Sequence, residues 1–356
     1  MTSELATPSL DLGFSSRPLS RTTIPAIAVL SLVLAQIVTR VFMGGGSVVA
    51  TLVIAGPTNL AMTYVVSRRR EGSRRAIDRM VTALVYSLMT LALAPLVSVV
   101  WTTVDRGLAR FDGELFTSTM RSVVGDGGGV KHAIIGTAII TGLAAAMAVP
   151  IGLFTGIYLV EYGKKSRLAR LVVSMVDVMT GIPSIVAGLF AYALFSQFQG
   201  PGARSGFAGS VALAVLMTPI VVRSTQEMLR LVPNELREAS YALGVSKWRT
   251  IVKVVLPTAV SGLLTGVSLA IARVIGETAP LLIAAGLAQD TNTNPFSGRM
   301  TSLPVMSYYG YAAPGFPPEA GYDRGWSAAL LLIIIVLVIF SVSRILGRVL
   351  RPKGLR

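Results

Sequence analysis

The chain has 356 residues, of which 53% are hydrophobic and only 14% charged, and its mean hydropathy is +0.68. This excludes an ordinary soluble domain; apolar runs as long as a bilayer core is thick call for spanning helices, so the expected fold is all-α, a polytopic integral membrane helical bundle. The net charge of +15 lies between apolar runs, where it sets orientation and implies no nucleic acid, and the absence of cysteine excludes disulfides, thiolate metal sites and a cysteine nucleophile.

Residues 1–23 form a Ser-, Thr- and Pro-rich tail, with Arg17 and Arg21 ahead of the first apolar run. That run passes through Arg40 to Met43 without a clean small-x-small cleavage site, so an uncleaved anchor is expected rather than a signal peptide. Gly44, Gly45, Gly46 and Ser47 offer a tight reversal into a second run, Val48 to Val66, interrupted by Gly56 and Pro57. The two runs read as a helical hairpin. Arg68, Arg69, Arg70, Arg74, Arg75 and Arg79 follow, too many cations to cross a bilayer easily, which places this loop in the cytoplasm.

Further spans are expected at 81–101, 133–160, 171–198, 207–225, 258–288 and 326–346. That makes about eight, a six-span core plus the N-terminal hairpin. The basic segments 67–80, 161–170, 226–257 and 347–356 then share one side, and the positive-inside rule puts both termini in the cytoplasm. The lone His132 has no partners at ligand spacing and reads as an interfacial loop residue rather than a metal ligand.

Two outer loops are long, 102–132 and 289–325, the latter rich in Pro, Gly and Tyr; such loops bind something or move. The inner segment 226–257 has helical rather than loop-like spacing. Asn234 is placed to cap a helix from Glu235, Gly244 to end it in a left-handed turn, and Pro257 to stop a second helix begun at Ser246. Together they make a projecting elbow.

Charges inside the spans are few. Arg273 and Glu277 are four residues apart, hence on one helix face within an otherwise apolar span, and each is expected to face the bundle interior and find a partner. They fit a structural ion pair with each other. Arg223 suits either a snorkelling position at the cytoplasmic interface or an anion contact. Glu161 reads as a membrane-boundary residue and Asp177 as a helix contact, while Gly181 and Pro183 break or kink their span, as a hinge or for packing.

Glu238, Ala239 and Ser240, then Gly244 after three residues, and Val254, Val255, Leu256 and Pro257 after nine more, resemble the EAA loop of ABC-importer permeases. Ser240 and Val254 depart from the usual Ala and Ile, and both are small or isosteric enough to keep the turn. A short rigid helix of this kind docks in a cleft on a partner and passes its motion to the spans; the rival reading is an amphipathic helix lying on membrane lipid. No G-x-x-x-x-G-K-[ST] loop is present: neither Gly125 to Gly129 nor Gly163, Lys164, Lys165, Ser166 fits, so nucleotide sites are expected on a separate subunit.

Three further blocks carry a narrower likeness: GIYLVEYGKKSRLARLVVSMVDVMTGIPSIVAGLF at 156–190, TPIVVRSTQEMLRLVP at 218–233 and ARVIGETAPLL at 272–282. With the EAA loop they resemble the PstA-type permease subunit of the phosphate ABC importer over residues 133–346, and Gly276, Glu277, Thr278, Ala279 and Pro280 favour PstA over its partner PstC.

The resemblance implies a permease domain at 80–346, with the hairpin and basic loop at 24–79 as an addition, in the cytoplasmic membrane of a prokaryote. It implies a subunit with no catalysis and no cofactor of its own, ATP and Mg being bound by a PstB-type ATPase dimer, with a PstC-type permease and a PstS-type binding protein completing the importer. Arg273, Glu277 and Arg223 become phosphate-pathway candidates, because guanidinium pairs bidentately with phosphate oxygens and a carboxylate accepts from protonated phosphate. Glu238, Ala239, Ser240, Gly244, Leu256 and Pro257 become coupling residues, and Gly181, Pro183, Gly276 and Pro280 hinge or packing positions. A permease for another oxyanion or small nutrient shares the elbow; a channel or secondary transporter would need neither elbow nor ATPase.

Overall fold

The computed structural model describes residues 19–20, 22–44, 47–163 and 166–350. Most of the expected N-terminal tail, Gly45 and Gly46 of the first reversal, Lys164 and Lys165, and the end of the basic C-terminal tail lie outside the described residues. Those described are helical, with no strand among them. Seven helices are long and apolar enough to cross a membrane, and a bent pair makes an eighth span if counted as one.

The chain divides into two compact units, residues 1–101 and 102–356. In the first, α1 (Thr23–Met43) and α2 (Val48–Glu71) form the expected hairpin, and α3 (Ser73–Gly107) begins after Gly72, whose φ of +89° favours glycine. A small polar seam joins α1 to α2: the Thr51 hydroxyl lies 3.2 Å from that of Thr39 and donates to Gln36 Oε1 at 2.9 Å. Apolar surface has little reason to leave lipid for another helix, so hydrogen bonds and small residues hold such pairs together. At the α2–α3 corner, the buried Glu71 carboxylate accepts from Arg79 Nε and Nη2 at 2.6 and 2.9 Å, from Ser67 Oγ and from the Leu19 backbone N–H. Arg79, expected only as part of a basic loop, therefore ties a helix corner.

The second unit opens with residues expected as a bare loop. They contain a 3₁₀ turn, Leu108–Arg110, and α4 (Gly113–Thr117), capped by the Asp112 carboxylate accepting from the Leu115 N–H at 2.8 Å. The long α5 (Lys131–Ile157) follows and runs on as a π-turn over Tyr158–Tyr162. His132 lies in its first turn, buried, not in an interfacial loop. The expected span 171–198 is two helices, α6 (Arg167–Thr180) and α7 (Ser184–Gln199), bent by 103°. Pro183 has no N–H to give and disfavours helical backbone at Ile182, so the break falls on Gly181–Pro183.

Then come α8 (Gly206–Arg230), α9 (Asn234–Ala242), α10 (Lys247–Thr250), a π-turn over Ile251–Val255 and α11 (Leu256–Ile275). The expected span 258–288 ends early at Ile275; Gly276 to Thr278 leave the helix, and α12 (Ala279–Ala284) starts with Pro280 in its first turn, the place where proline costs nothing. The outer segment 289–325 is not structureless: it holds α13 (Leu303–Ala312) and the first turns of α14 (Pro318–Val349).

The core is the seam between α5 and α8. A Cβ on Gly152 would meet Val221 at 2.6 Å and one on Gly156 would meet Thr225 at 2.6 Å, so two glycines four apart let these helices approach backbone to backbone. Ile140, Ala144, Ala148, Leu213, Met217 and Val221 continue the contact, and Val274 and Ala270 of α11 close it. Hydrogen bonds fix the rest: Leu303 N–H to Thr137 Oγ1 at 2.8 Å joins α13 to α5, and Ser343 Oγ to Leu264 O at 3.1 Å joins α14 to α11.

Candidate functional site

Two regions carry the residues singled out in the sequence. The first is the elbow. Pro233, not Asn234, holds the cap position of α9, and Asn234 is its first helical residue without a capping side-chain bond. Proline fixes an extended-to-helix corner without a capping side chain. Gly244, at φ +75°, turns the chain after α9; its N–H bonds Tyr241 O at 2.9 Å, and the Val245 N–H bonds Ser240 O at 3.2 Å. Only glycine takes this φ without strain.

Pro257 does not end the second arm. The Leu256 N–H reaches back five residues to Ile251 O, which opens a π-turn, and the Val254 carbonyl takes the Thr258 hydroxyl at 2.7 Å. The loosened turn leaves room for the proline ring, so the arm runs from Lys247 straight into the spanning helix to Ile275. Motion of the elbow is thereby motion of α11.

The inner side of the elbow is tied down. Ser240 and Thr250 hydroxyls meet at 2.8 Å, buried, across the two arms. The Arg237 guanidinium is buried beneath α9, where Nη2 lies 2.8 Å from Glu161 Oε1 and 2.9 Å from Leu229 O, and Nη1 donates to Val232 O at 2.6 Å. Glu161 is therefore no mere boundary marker: it sits in the π-turn ending α5 and holds Arg237, which ties the elbow to α5 through this pair and to the end of α8 through Leu229 O. Sequence reasoning missed Arg237, although an arginine beside Glu238, with an unmatched Glu161 at a helix end, was a signal. The outer side is open. Glu238 and Ala239 are exposed, and Leu243 and Trp248 show 84% and 65% of their surface. Apolar side chains displayed at a rigid bend mark a contact surface.

The second region holds the charges of the spans. Arg223 on α8 pairs with Asp177 on α6, and its Nη1 lies 3.4 Å from Gln226 Oε1. Arg273 is in the last turn of α11 and exposed on this chain, whereas Glu277 comes after the helix has ended, its N–H bonded to Val274 O at 3.1 Å. The continuous helical face expected to carry both does not exist, and among the described residues they form no ion pair. The cause is Gly276 and Pro280, which end one helix and start another.

The two broken segments, Gly181–Pro183 and Gly276–Thr278, belong to helices that pack together. A Cβ on Gly188 of α7 would lie 2.6 Å from Pro280 Cα of α12, so glycine is required for α7 to approach. Non-helical backbone inside a membrane span is tolerated only where protein or a water-filled cavity meets its polar groups. Half-exposed charges obey the same rule, because an ionised side chain at the bilayer centre costs at least about 2.5–3.5 kcal/mol. Arg223, Asp177 and Arg273 are each partly exposed on this chain, where a cavity, another chain or the membrane interface can meet them. Among the described residues no cluster of His, Cys, Asp or Glu is arranged to hold a metal.

Residues 148–354 match the family model described as binding-protein-dependent transport system inner membrane component. The chain is 46% identical over 269 residues to phosphate transport system permease protein PstA 1 of Mycobacterium tuberculosis, covering 75% of this chain and 87% of the relative. It is 38% identical over 283 residues to phosphate transport system permease protein PstA of Yersinia pestis, covering 78% and 92%. The fold is similar to that of a chain of the inward-facing MetNI methionine ABC transporter, with a TM-score of 0.52 at 21% identity, over 62% of this chain and 95% of the other.

Proposed function

Because this chain belongs to the PstA family of phosphate transport system permeases, within the binding-protein-dependent inner membrane components, we propose that it forms half of the inward pathway for inorganic phosphate and couples it to ATP hydrolysed elsewhere. The partners are a PstC-type permease lining the other half, a PstB-type ATPase dimer carrying ATP and Mg, and a PstS-type binding protein delivering phosphate from outside. Both termini face the cytoplasm, with the elbow on the same side, in agreement with the basic segments 67–80, 161–170 and 226–257.

The observation that carries coupling is the elbow itself. Its outer face displays Leu243 and Trp248, its inner face is locked by Arg237 and Glu161, and its second arm is continuous with α11. A segment that is rigid within and exposed without is built to be pushed. On closure of the ATPase dimer the elbow shifts, α11 carries Arg273 with it, and the breaks at Gly181–Pro183 and Gly276–Thr278 take up the change in backbone angle. The pathway then reopens on the other side, as alternating access requires. Arg273 and Arg223 contact the anion in this reading, since guanidinium stays charged at any working pH and matches phosphate oxygens bidentately.

Uptake of labelled phosphate into vesicles holding the complete importer tests this. Uptake is expected to need ATP and the binding protein and to vanish when the ATPase is omitted. Phosphate entry through this chain without an ATPase would replace the reading with a channel or secondary transporter.

A further inference from the structure

The two carboxylates near the broken segments behave differently. Glu277, past the end of α11, makes no ion pair among the described residues, so it does not hold Arg273 while the pathway is empty. Asp177 does pair with a cation, Arg223, across the α6–α8 interface. Its side chain is 56% exposed and that of Arg223 39%, so neither is fully covered by the described residues of this chain and both can be met from outside it. Arg223 has further donors beyond those facing Asp177 and Gln226, because a guanidinium carries five N–H groups.

We propose that Asp177 is a specificity-determining residue for protonated oxyanions: it holds Arg223 in the empty pathway and accepts the hydrogen bond of a P–O–H group once phosphate takes the cation. This rests on the phosphate-pathway reading of Arg223 above. An ionised carboxylate is an acceptor only, so an oxyanion beside it must bring a proton of its own or be repelled. Phosphate at neutral pH keeps at least one hydroxyl, and sulfate keeps none. No proton is transferred; the hydroxyl hydrogen stays on the anion and is shared with Asp177. The position of Asp177 adds a release step, since it lies four residues ahead of Gly181, where α6 breaks. Rotation of α6 about that break separates Asp177 from Arg223 without disturbing α7.

The test uses the assembled importer membrane complex in lipid nanodiscs, without the binding protein, and reads equilibrium binding of labelled inorganic phosphate against unlabelled competitors. Arsenate, which also carries a hydroxyl, is expected to compete with phosphate in the unaltered complex and sulfate to compete poorly; equal competition by the two overturns the proposal without any variant. Asp177→Asn and Asp177→Ala are expected to shrink the phosphate-over-sulfate ratio by about 10- to 100-fold, the worth of one charge-assisted hydrogen bond, and Asp177→Glu to restore most of it. A carboxylate with a merely structural role would weaken both anions together, and an unchanged ratio in assembled Asp177→Asn and Asp177→Ala complexes rejects the assignment. Arg223→Gln tests the underlying reading by itself: phosphate binding that survives this change removes Arg223 from the pathway, whatever Asp177 does.

Discussion

Arg237 and Glu161, 76 positions apart in sequence, meet at 2.8 Å beneath the elbow, with side chains only 10% and 4% exposed. The pair joins α9 to the end of α5, and the carbonyls of Leu229 and Val232 bring in the end of α8. A force applied to the elbow therefore reaches α5 and α8 at once, in addition to α11, which it enters directly.

Removing one partner of this pair strands the other as a buried charge, at a cost of about 3–5 kcal/mol. Arg237→Ala and Glu161→Ala should each lower the thermal unfolding midpoint of the purified complex by several degrees. Arg237→Lys retains the charge but not the fork that reaches the carbonyls. Its expected signature is a complex that assembles and hydrolyses ATP yet moves less phosphate per ATP, measured by parallel hydrolysis and uptake in proteoliposomes. Normal coupling in Arg237→Lys would mean that the guanidinium fork carries no force.

Leu243 and Trp248 behave in the opposite way, because they stay largely exposed among the described residues. Leu243→Asp and Trp248→Ser should leave the permease within about 0.5 kcal/mol of its normal stability, as exposed substitutions do. They should nonetheless abolish co-purification of the ATPase. Retained ATPase in both variants would place the docking face elsewhere.

Glu277 lies outside α11 and pairs with no described cation. Glu277→Gln should then leave stability unchanged within about 0.5 kcal/mol, and phosphate-over-sulfate discrimination should survive. Arg273→Gln is expected to stop phosphate uptake while expression stays normal. Arg223 should tolerate Lys poorly, since its role in the pair and in anion contact uses planar donors. Uptake by Arg223→Lys at the normal rate would return it to a snorkelling role.

Gly188 faces Pro280 with no room for a Cβ, 2.6 Å from its Cα. Gly188→Ala should force α7 and α12 apart at a cost of about 1–3 kcal/mol, lowering the unfolding midpoint. Gly276, around which no atom lies within 4 Å of an added Cβ, should accept Ala without loss of stability. That contrast separates tight packing from the mere presence of glycine.

Composition, the lengths of the apolar runs and the placement of arginine were enough for an all-α bundle of about eight spans, since bilayer thickness and hydration act on local stretches of chain. The EAA spacing was enough for the elbow and for the left-handed turn at Gly244, because that turn needs glycine whatever surrounds it. The ends of helices were harder. Pro257 reads as a stop and is absorbed by a π-turn, whereas Gly276 and Pro280 read as hinge or packing positions and split a span in two. Both outcomes depend on which carbonyls find other donors. The charge pairs were least legible: spacing suggested Arg273 with Glu277, and the fold instead joins Arg223 to Asp177 and Arg237 to Glu161. A charge within an apolar span needs a partner or a polar surface to face, and that much follows from the residue alone. Which partner it has is decided by the breaks in α6–α7 and α11–α12 and by the glycine seam that brings α8 against α5, contacts between segments far apart in the chain.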